Sequence, residues 1–135
     1  MEECLFCNII AGDIPSQKVY EDDDTFAFLD IKPVNPGHAL VVPKRHSRNL
    51  YDIKDRDWLA VMNTVKMLAP KIKAAVGADG MNIEMNNERA AGQIIFHTHV
   101  HIVPRIDDDG FRHWPGTAYK NNEAESVAEK IHVLL

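Results

Sequence analysis

Apolar positions along the chain follow two different periods. Lys18-Val19-Tyr20 and Thr25-Phe26-Ala27-Phe28-Leu29 read as two strands around the acidic turn Glu21-Asp22-Asp23-Asp24,. That acid run reads as a solvated hairpin tip rather than a metal site. Gly12-Asp13-Ile14-Pro15-Ser16 is a turn cluster, and Lys32-Pro33-Val34-Asn35-Pro36-Gly37 has the composition of a loop,. His38 to Val42 reads as a third strand, stopped by Pro43,. From Asp55 to about Ala69 the period becomes helical: Trp58, Met62, Val65 and Ala69 fall on one stripe, widened by Leu59, Val61 and Leu68,. Pro70 removes an internal hydrogen bond, which predicts a kink or a break there. Gly77-Ala78-Asp79-Gly80 ends the helical stretch,.

Beyond it, Met81 to Met85 reads as a fourth strand, Asn86 to Gly92 as a loop, and Ile94 to Val103 as the fifth and clearest strand, ended by Pro104,. From Asn122 to Leu135 the pattern is helical again, with Ala124, Val127, Ala128, Ile131 and Leu135 on one face,. Strands and helices do not alternate as they do in parallel α/β folds. The expectation is an α+β domain over residues 1–135, with a five-stranded antiparallel sheet, one long helix and a C-terminal helix. The breadth of the apolar stripe on the long helix fits packing on two partners, one of them a second copy of the chain.

Composition narrows the function. The chain has 135 residues, 45% of them hydrophobic and 26% charged, which is one ordinary globular domain and excludes disorder. The longest aliphatic run, Ala39-Leu40-Val41-Val42, is far short of a membrane span,. The N-terminus shows no basic segment followed by an apolar one, so a cytoplasmic location is expected. The net charge of -5 argues against sequence-independent duplex binding,. Lys44, Arg45, Arg48, Arg89, Arg105 and Arg112 can still form a local positive site for a small anion,. Cys4 and Cys7 are the only cysteines, and their C-x-x-C spacing points to metal or redox chemistry rather than a structural disulfide,.

The run His97-Thr98-His99-Val100-His101-Ile102 carries the main chemical signal. On a strand, Phe96, Thr98, Val100 and Ile102 point into a core, and His97, His99 and His101 form a row on the other face, about 6.6 Å apart. Such a row can chelate zinc. It can equally do phosphoryl chemistry, since neutral imidazole is a good nucleophile near pH 7. The preceding segment, Asn86 and Gly92-Gln93, can present amides to an anion. No carboxylate lies within the run to complete an all-strand metal site.

These residues resemble the histidine triad family, whose signature is three histidines alternating with hydrophobic residues. The resemblance covers Cys4 to Ile14, Phe26 to His46 and Asn86 to Arg105, in the same order. Thr98 stands where an aliphatic residue is usual. His113-Trp114-Pro115-Gly116 is similar to the C-terminal segment of the purine nucleoside phosphoramidase branch, and Ile106 to Arg112 resembles an insertion before it. The resemblance implies a nucleotidyl hydrolase that attacks an α-phosphate of a purine nucleotide conjugate, either a phosphoramidate or a dinucleoside polyphosphate. It makes His99 the nucleophile that becomes nucleotidylated, His101 a donor to a nonbridging oxygen, and Asn86, Gly92 and Gln93 the phosphate side of the site. Asp30 matches the residue that binds both ribose hydroxyls, a task suited to the two acceptor oxygens of a carboxylate. Phe6, Ile9, Phe28, Ile31 and Leu40 match positions lining the base pocket, and His38 matches a supporting fourth histidine. Ile94 departs from the serine that the phosphoramidase branch carries against the phosphate.

The resemblance also counts His97 with His99 and His101 among the catalytic residues, and implies a structural zinc on Cys4, Cys7, His46 and His97, a closed tetrahedral set in which the zinc is not the catalyst, with no catalytic cofactor. A two-fold homodimer follows from the same likeness. Two other functions stand beside the hydrolase: a non-catalytic nucleotide-binding or scaffold protein of the same fold, and a zinc hydrolase that uses the histidine row as catalytic ligands.

Overall fold

The computed structural model describes residues 3–135. Helix α1 (Leu5–Ala11) is followed by strands β1 (Lys18–Glu21), β2 (Thr25–Leu29) and β3 (Ala39–Pro43), helix α2 (Asp55–Val76), strand β4 (Gly80–Glu84), a short 3-10 turn (Arg89–Ala91), strand β5 (Val100–Arg105) and helix α3 (Glu123–His132). The sheet runs β1-β2-β3-β5-β4, with every neighbouring pair antiparallel.

Both faces of the central strands are covered, and their alternation divides the core in two. Ala27, Ala39, Val41, Val100 and Ile102 face α2 and pack on Val61, Val65, Leu68 and Ile72. Phe26, Phe28, Leu40 and Val42 face the other way and pack on Phe6 and Ile9 of α1. This second face carries the chemistry. Period-based reading did not anticipate α1, which has only seven residues. A sulfur starts it and a glycine ends it. Cys4 Sγ accepts the Cys7 N–H at 3.4 Å, and Gly12, at φ 85°, donates to Asn8 and Ile9 carbonyls,.

The β1-β2 turn is held by Asp22. Its Oδ1 accepts the Asp24 N–H at 2.9 Å and the Thr25 N–H at 2.7 Å,. Gly37, at φ 93°, precedes β3 where the end of α2 comes close. A Cβ there would lie 2.9 Å from Val76 Cγ1 and 3.2 Å from Pro104 Cγ, so only glycine fits.

Three expectations are corrected. Helix α2 does not break at Pro70 but runs on to Val76. Pro70 lies on the exposed side, and Leu68 and Ile72 on either side of it are buried against the sheet. The core-facing stripe is also rotated from the expected one: Val61, Val65, Leu68 and Ile72 are buried, Trp58, Met62 and Ala69 flank them, and Leu59 is 61% exposed.

The third correction concerns the histidine run, where β5 covers Val100–Arg105 rather than 94–103. The β3-β5 ladder ends at Val41↔Val100. Continuing it would set Pro43, which has no N–H, beside Thr98. Instead the Pro43 carbonyl meets His97 Nε2 at 2.8 Å, and Thr98 N–H donates to the Ser47 carbonyl at 2.8 Å. Phe96 accordingly stays out of the core, half-buried, with the Arg48 guanidinium 4.2 Å from its ring centroid. At the other end β5 continues through Pro104, which pairs with Met81 while its carbonyl accepts from Asn35 Nδ2 at 2.9 Å.

The chain after Gly110 is exposed as far as Ser126. Helix α3 forms where expected and buries none of its residues, Val127 being half-buried. No helix among the described residues is long and apolar enough to cross a membrane.

Candidate active site

Although only His101 of the three histidines lies in a strand, all three rings reach the α1 side of the sheet. Phe6 packs edge-on against both His97 and His99, with centroids 6.0 and 5.1 Å away, and His99 and His101 are 5.1 Å apart. Between α1 and the sheet lies a cavity of about 410 Å³, lined by His99, His101, Asp30, Asn86, Gly92 and a mainly apolar wall. Phe6, Ile9, Phe28, Ile31 and Leu40 belong to that wall. Ile31, at 92% exposure, and Ile94, at 82%, stand at its mouth. The cavity also takes in Leu5, Ile14, Leu29 and Ile95, which sequence reasoning passed over. Leu5 gave no signal because α1 itself gave none.

Hydrogen bonds set the proton on each imidazole. His99 Nδ1 lies 2.7 Å from the His97 carbonyl, an acceptor only. The proton therefore sits on Nδ1, leaving Nε2 with a free lone pair. His38 Nδ1 accepts the Val34 N–H at 3.0 Å, so its proton sits on Nε2, which donates to His101 Nδ1 at 2.9 Å. His101 in turn carries its proton on Nε2. This chain leaves His99 as a base and His101 as a donor, both neutral. Burial pushes His101 down to about 4 and lowers His99 and His38 as well,.

Asp30 begins the loop after β2. Its Oδ1 accepts the Lys32 N–H at 2.8 Å, and its Oδ2 lies 3.7 Å from His38 Nε2. Asp30, His38 and His101 sit close enough to hold a cation, but the Val34 N–H argues against it. With His38 Nδ1 already accepting, a metal on Nε2 would require a doubly deprotonated ring.

On the other wall, Asn86 and Gly92 stand together; a Cβ on Gly92 would lie 3.8 Å from Asn86 Nδ2. The backbone amides of Ala91, Gly92 and Gln93 are not offered to an anion. Those of Ala91 and Gln93 donate to the Glu88 carbonyl and that of Gly92 to the Arg89 carbonyl. Gln93 is buried and does not line the cavity. Its Nε2 donates to the Arg48 and Ile95 carbonyls at 2.8 and 3.0 Å, and its Oε1 accepts from Glu88 N–H and Asn49 Nδ2. It clamps the loop from behind.

Cys4, Cys7, His46 and His97 converge beside the cavity. Tetrahedral zinc with Zn–S near 2.3 Å and Zn–N near 2.05 Å puts its ligand atoms about 3.6 Å (S to N) and about 3.3 Å (N to N) apart. The separations are 3.4 Å for Cys4 Sγ to His97 Nδ1, 3.5 Å from Cys7 Sγ to each histidine Nδ1, and 3.2 Å between the two Nδ1 atoms. His97 Nε2–H donates to the Pro43 carbonyl, so His97 Nδ1 presents a lone pair to the cluster,. The residues fit the ion. Without it, burial and the nearby Cys4 push the Cys7 thiol up to about 11. A divalent cation would stabilise both thiolates.

The HIT domain family matches residues 11–108. Protein hit of Bacillus subtilis is 43% identical over 134 residues, covering 96% of this chain and 92% of that one. Adenosine 5'-monophosphoramidase hnt1 of Schizosaccharomyces pombe is 36% identical over 131 residues, covering 95% of each. Among solved structures, SMU.412c of Streptococcus mutans superposes with a TM-score of 0.92 at 43% identity, covering 98% of this chain and 85% of that one. A zinc-bound histidine triad family protein of Mycobacterium smegmatis gives a TM-score of 0.76 at 32% identity, covering 98% and 97%. The chain belongs to the HIT domain family.

Proposed function

We propose that the protein is a nucleotidyl hydrolase acting on a purine nucleotide conjugate, a phosphoramidate or a dinucleoside polyphosphate, through a covalent nucleotidyl-His99 intermediate. One observation carries the reading. His99 Nδ1 is engaged by the His97 carbonyl, so the basic Nε2 is available in a cavity shared with a carboxylate and a carboxamide,. The base lies among Phe6, Ile9, Phe28, Ile31 and Leu40. Asp30 accepts the ribose hydroxyls, and Asn86 donates to the phosphate beside Gly92, with Gln93 bracing that loop. Nε2 of His99 attacks the α-phosphorus as the bond to the leaving group breaks. His101 donates from Nε2 to a nonbridging oxygen, and His38 holds it in that tautomer. Water then attacks the same phosphorus, the P–N bond breaks, and a nucleoside monophosphate leaves with His99 neutral again. Ile94 offers no hydroxyl at the cavity mouth, so the leaving group takes its proton from solvent there, and the attacking water returns one proton to solvent.

Cys4, Cys7, His46 and His97 hold a structural zinc in this reading, which would fix α1 and the start of the histidine run beside His99. The hydrolase name of the fission yeast relative and the zinc of the mycobacterial one support these assignments. A two-fold homodimer belongs to the same reading. It is supported by the exposure of Trp114 (87%) and by helix α3 burying none of its residues, and light scattering tests it.

The decisive experiment is an intact-mass spectrum quenched shortly after mixing with an adenosine phosphoramidate, with His99→Ala alongside. An adenylate adduct absent from the variant is expected. Nucleotide binding with neither adduct nor released monophosphate would move the assignment to a nucleotide-binding protein.

A further inference from the structure

The loop bearing Asn86 and Gly92 contains a residue whose backbone does not suit its type. Glu88 has φ 74° and ψ 163°, a region essentially reserved for glycine. Glycine would adopt it without strain, so the side chain must do something that glycine cannot.

Its contacts indicate what. Oε2 accepts from Arg48 Nη2 at 2.8 Å, and Oε1 accepts from Arg48 Nε at 3.1 Å and from Asn49 Nδ2 at 2.8 Å. The backbone of Glu88 is the hub of the turn. Its carbonyl accepts from Ala91 and Gln93 N–H groups, both at 3.1 Å, and its own N–H donates to Gln93 Oε1 at 2.9 Å. Next to it, Asn87 Oδ1 accepts the Leu50 N–H at 2.8 Å. The anchoring segment is itself held: Asn49 is 1% exposed, and His46 of the Cys/His cluster lies just before Arg48.

We propose that Glu88 is a positioning residue for phosphate handling: gripped by Arg48 and Asn49, it sets the turn that holds Asn86 and Gly92 against His99 and His101. The role rests on the reading of the cavity as a nucleotide hydrolase site. Glu88 does not line the cavity, so it acts through the turn. The Arg48–Glu88 side chains are 51% and 43% exposed, and a pair so exposed adds little to global stability. Its loss is therefore felt in the geometry of the phosphate wall rather than in the fold.

Glu88→Gly separates the two effects, because it removes the carboxylate and relieves the backbone together. Its melting temperature should stay close to that of the wild type, because the relieved backbone offsets the hydrogen bond that buried Asn49 loses,. Its affinity for AMP should fall about tenfold, adenosine affinity should stay within about twofold, and kcat on an adenosine phosphoramidate should fall about tenfold or more. Glu88→Gln keeps an acceptor for Asn49 and should recover most of the AMP affinity. A Glu88→Gly protein that binds AMP and turns over as the wild type does overturns the role. So does a parallel loss of AMP and adenosine binding with a lower melting temperature, which marks a structural part only. A wild-type protein that neither binds AMP nor hydrolyses the phosphoramidate overturns the hydrolase reading instead, and this role with it.

Discussion

His38 Nε2 stands 2.9 Å from His101 Nδ1, and this contact decides which face of the His101 ring carries its proton. The relay begins at a backbone amide, Val34 N–H, in a loop that Pro33 and Pro36 stiffen,. A main-chain donor cannot change tautomer, so the whole chain is directional. Replacing His38 by Ala should free His101 to carry its proton on Nδ1 and lower kcat about ten- to a hundredfold. His38→Gln, which keeps an N–H donor, should recover part of the loss. Ring ¹⁵N shifts of His101 check the assignment: a ring still protonated on Nε2 in His38→Ala would show that the relay does not set it.

The Cys/His cluster makes a stoichiometric prediction. Protein purified without chelator should hold one zinc per chain, and Cys7→Ser should hold well under half of that. At free zinc near a thousandfold above Kd, binding stabilises a fold by about 4 kcal/mol. Chelation should therefore lower the melting temperature by several degrees. Elemental analysis with calorimetry reads both, and a metal-free protein with unchanged melting would remove the ion from the account.

The core strands, the long helix and the C-terminal helix were legible from period and turn chemistry alone. The row of histidines was legible as chemistry but not as geometry. The alternation His97-Thr98-His99 reads as strand, yet Pro43 stops the neighbouring ladder, and a cross-strand partner is invisible in a local pattern. Helix α1 was missed because seven residues carry too little periodicity,. The apolar residues of the cavity wall were legible as more than core only through family likeness, since Phe6, Phe28 and Leu40 look like ordinary core. Glu88 was missed because a backbone dihedral leaves no mark in composition.

Thr98 replaces the usual aliphatic residue and is fully buried. Its Oγ1 lies 2.6 Å from Ser47 Oγ. Thr98→Val should cost about 1–2 kcal/mol by leaving the buried Ser47 hydroxyl without its partner. Adding Ser47→Ala should recover most of that, because losing both hydroxyls is cheaper than orphaning one. Urea unfolding of both variants measures this, and equal costs for the single and double variants would contradict it.

Asp57, buried at the start of α2, has its carboxyl held below the usual range, first by its hydrogen bond from Arg45. A carboxyl that titrates lower when folded stabilises the fold above its unfolded value near pH ~3.9, and the gain disappears as pH falls through the folded value. Asp57→Asn should therefore melt below the wild type at pH 7, and the gap should narrow as pH falls below the unfolded value toward the lower folded one,. A gap that persists unchanged at low pH would assign the difference to packing rather than charge.

Pro70 sits inside α2 without an N–H for the preceding turn, on the exposed side of the helix. Burial of Leu68 and Ile72 keeps the helix continuous, so the cost of the missing bond is carried by packing,. Pro70→Ala restores the bond and should stabilise the protein by about 1–3 kcal/mol, provided α2 keeps its path over the sheet. The end of α2 tests that condition, because Val76 and Ile72 crowd Gly37, directly before His38. If the substitution shifts Val76, the gain in urea unfolding will be small and turnover will fall with it. A full gain with unchanged turnover would show that packing on the sheet, and not Pro70, sets the path of α2 beside the loop that orients His38.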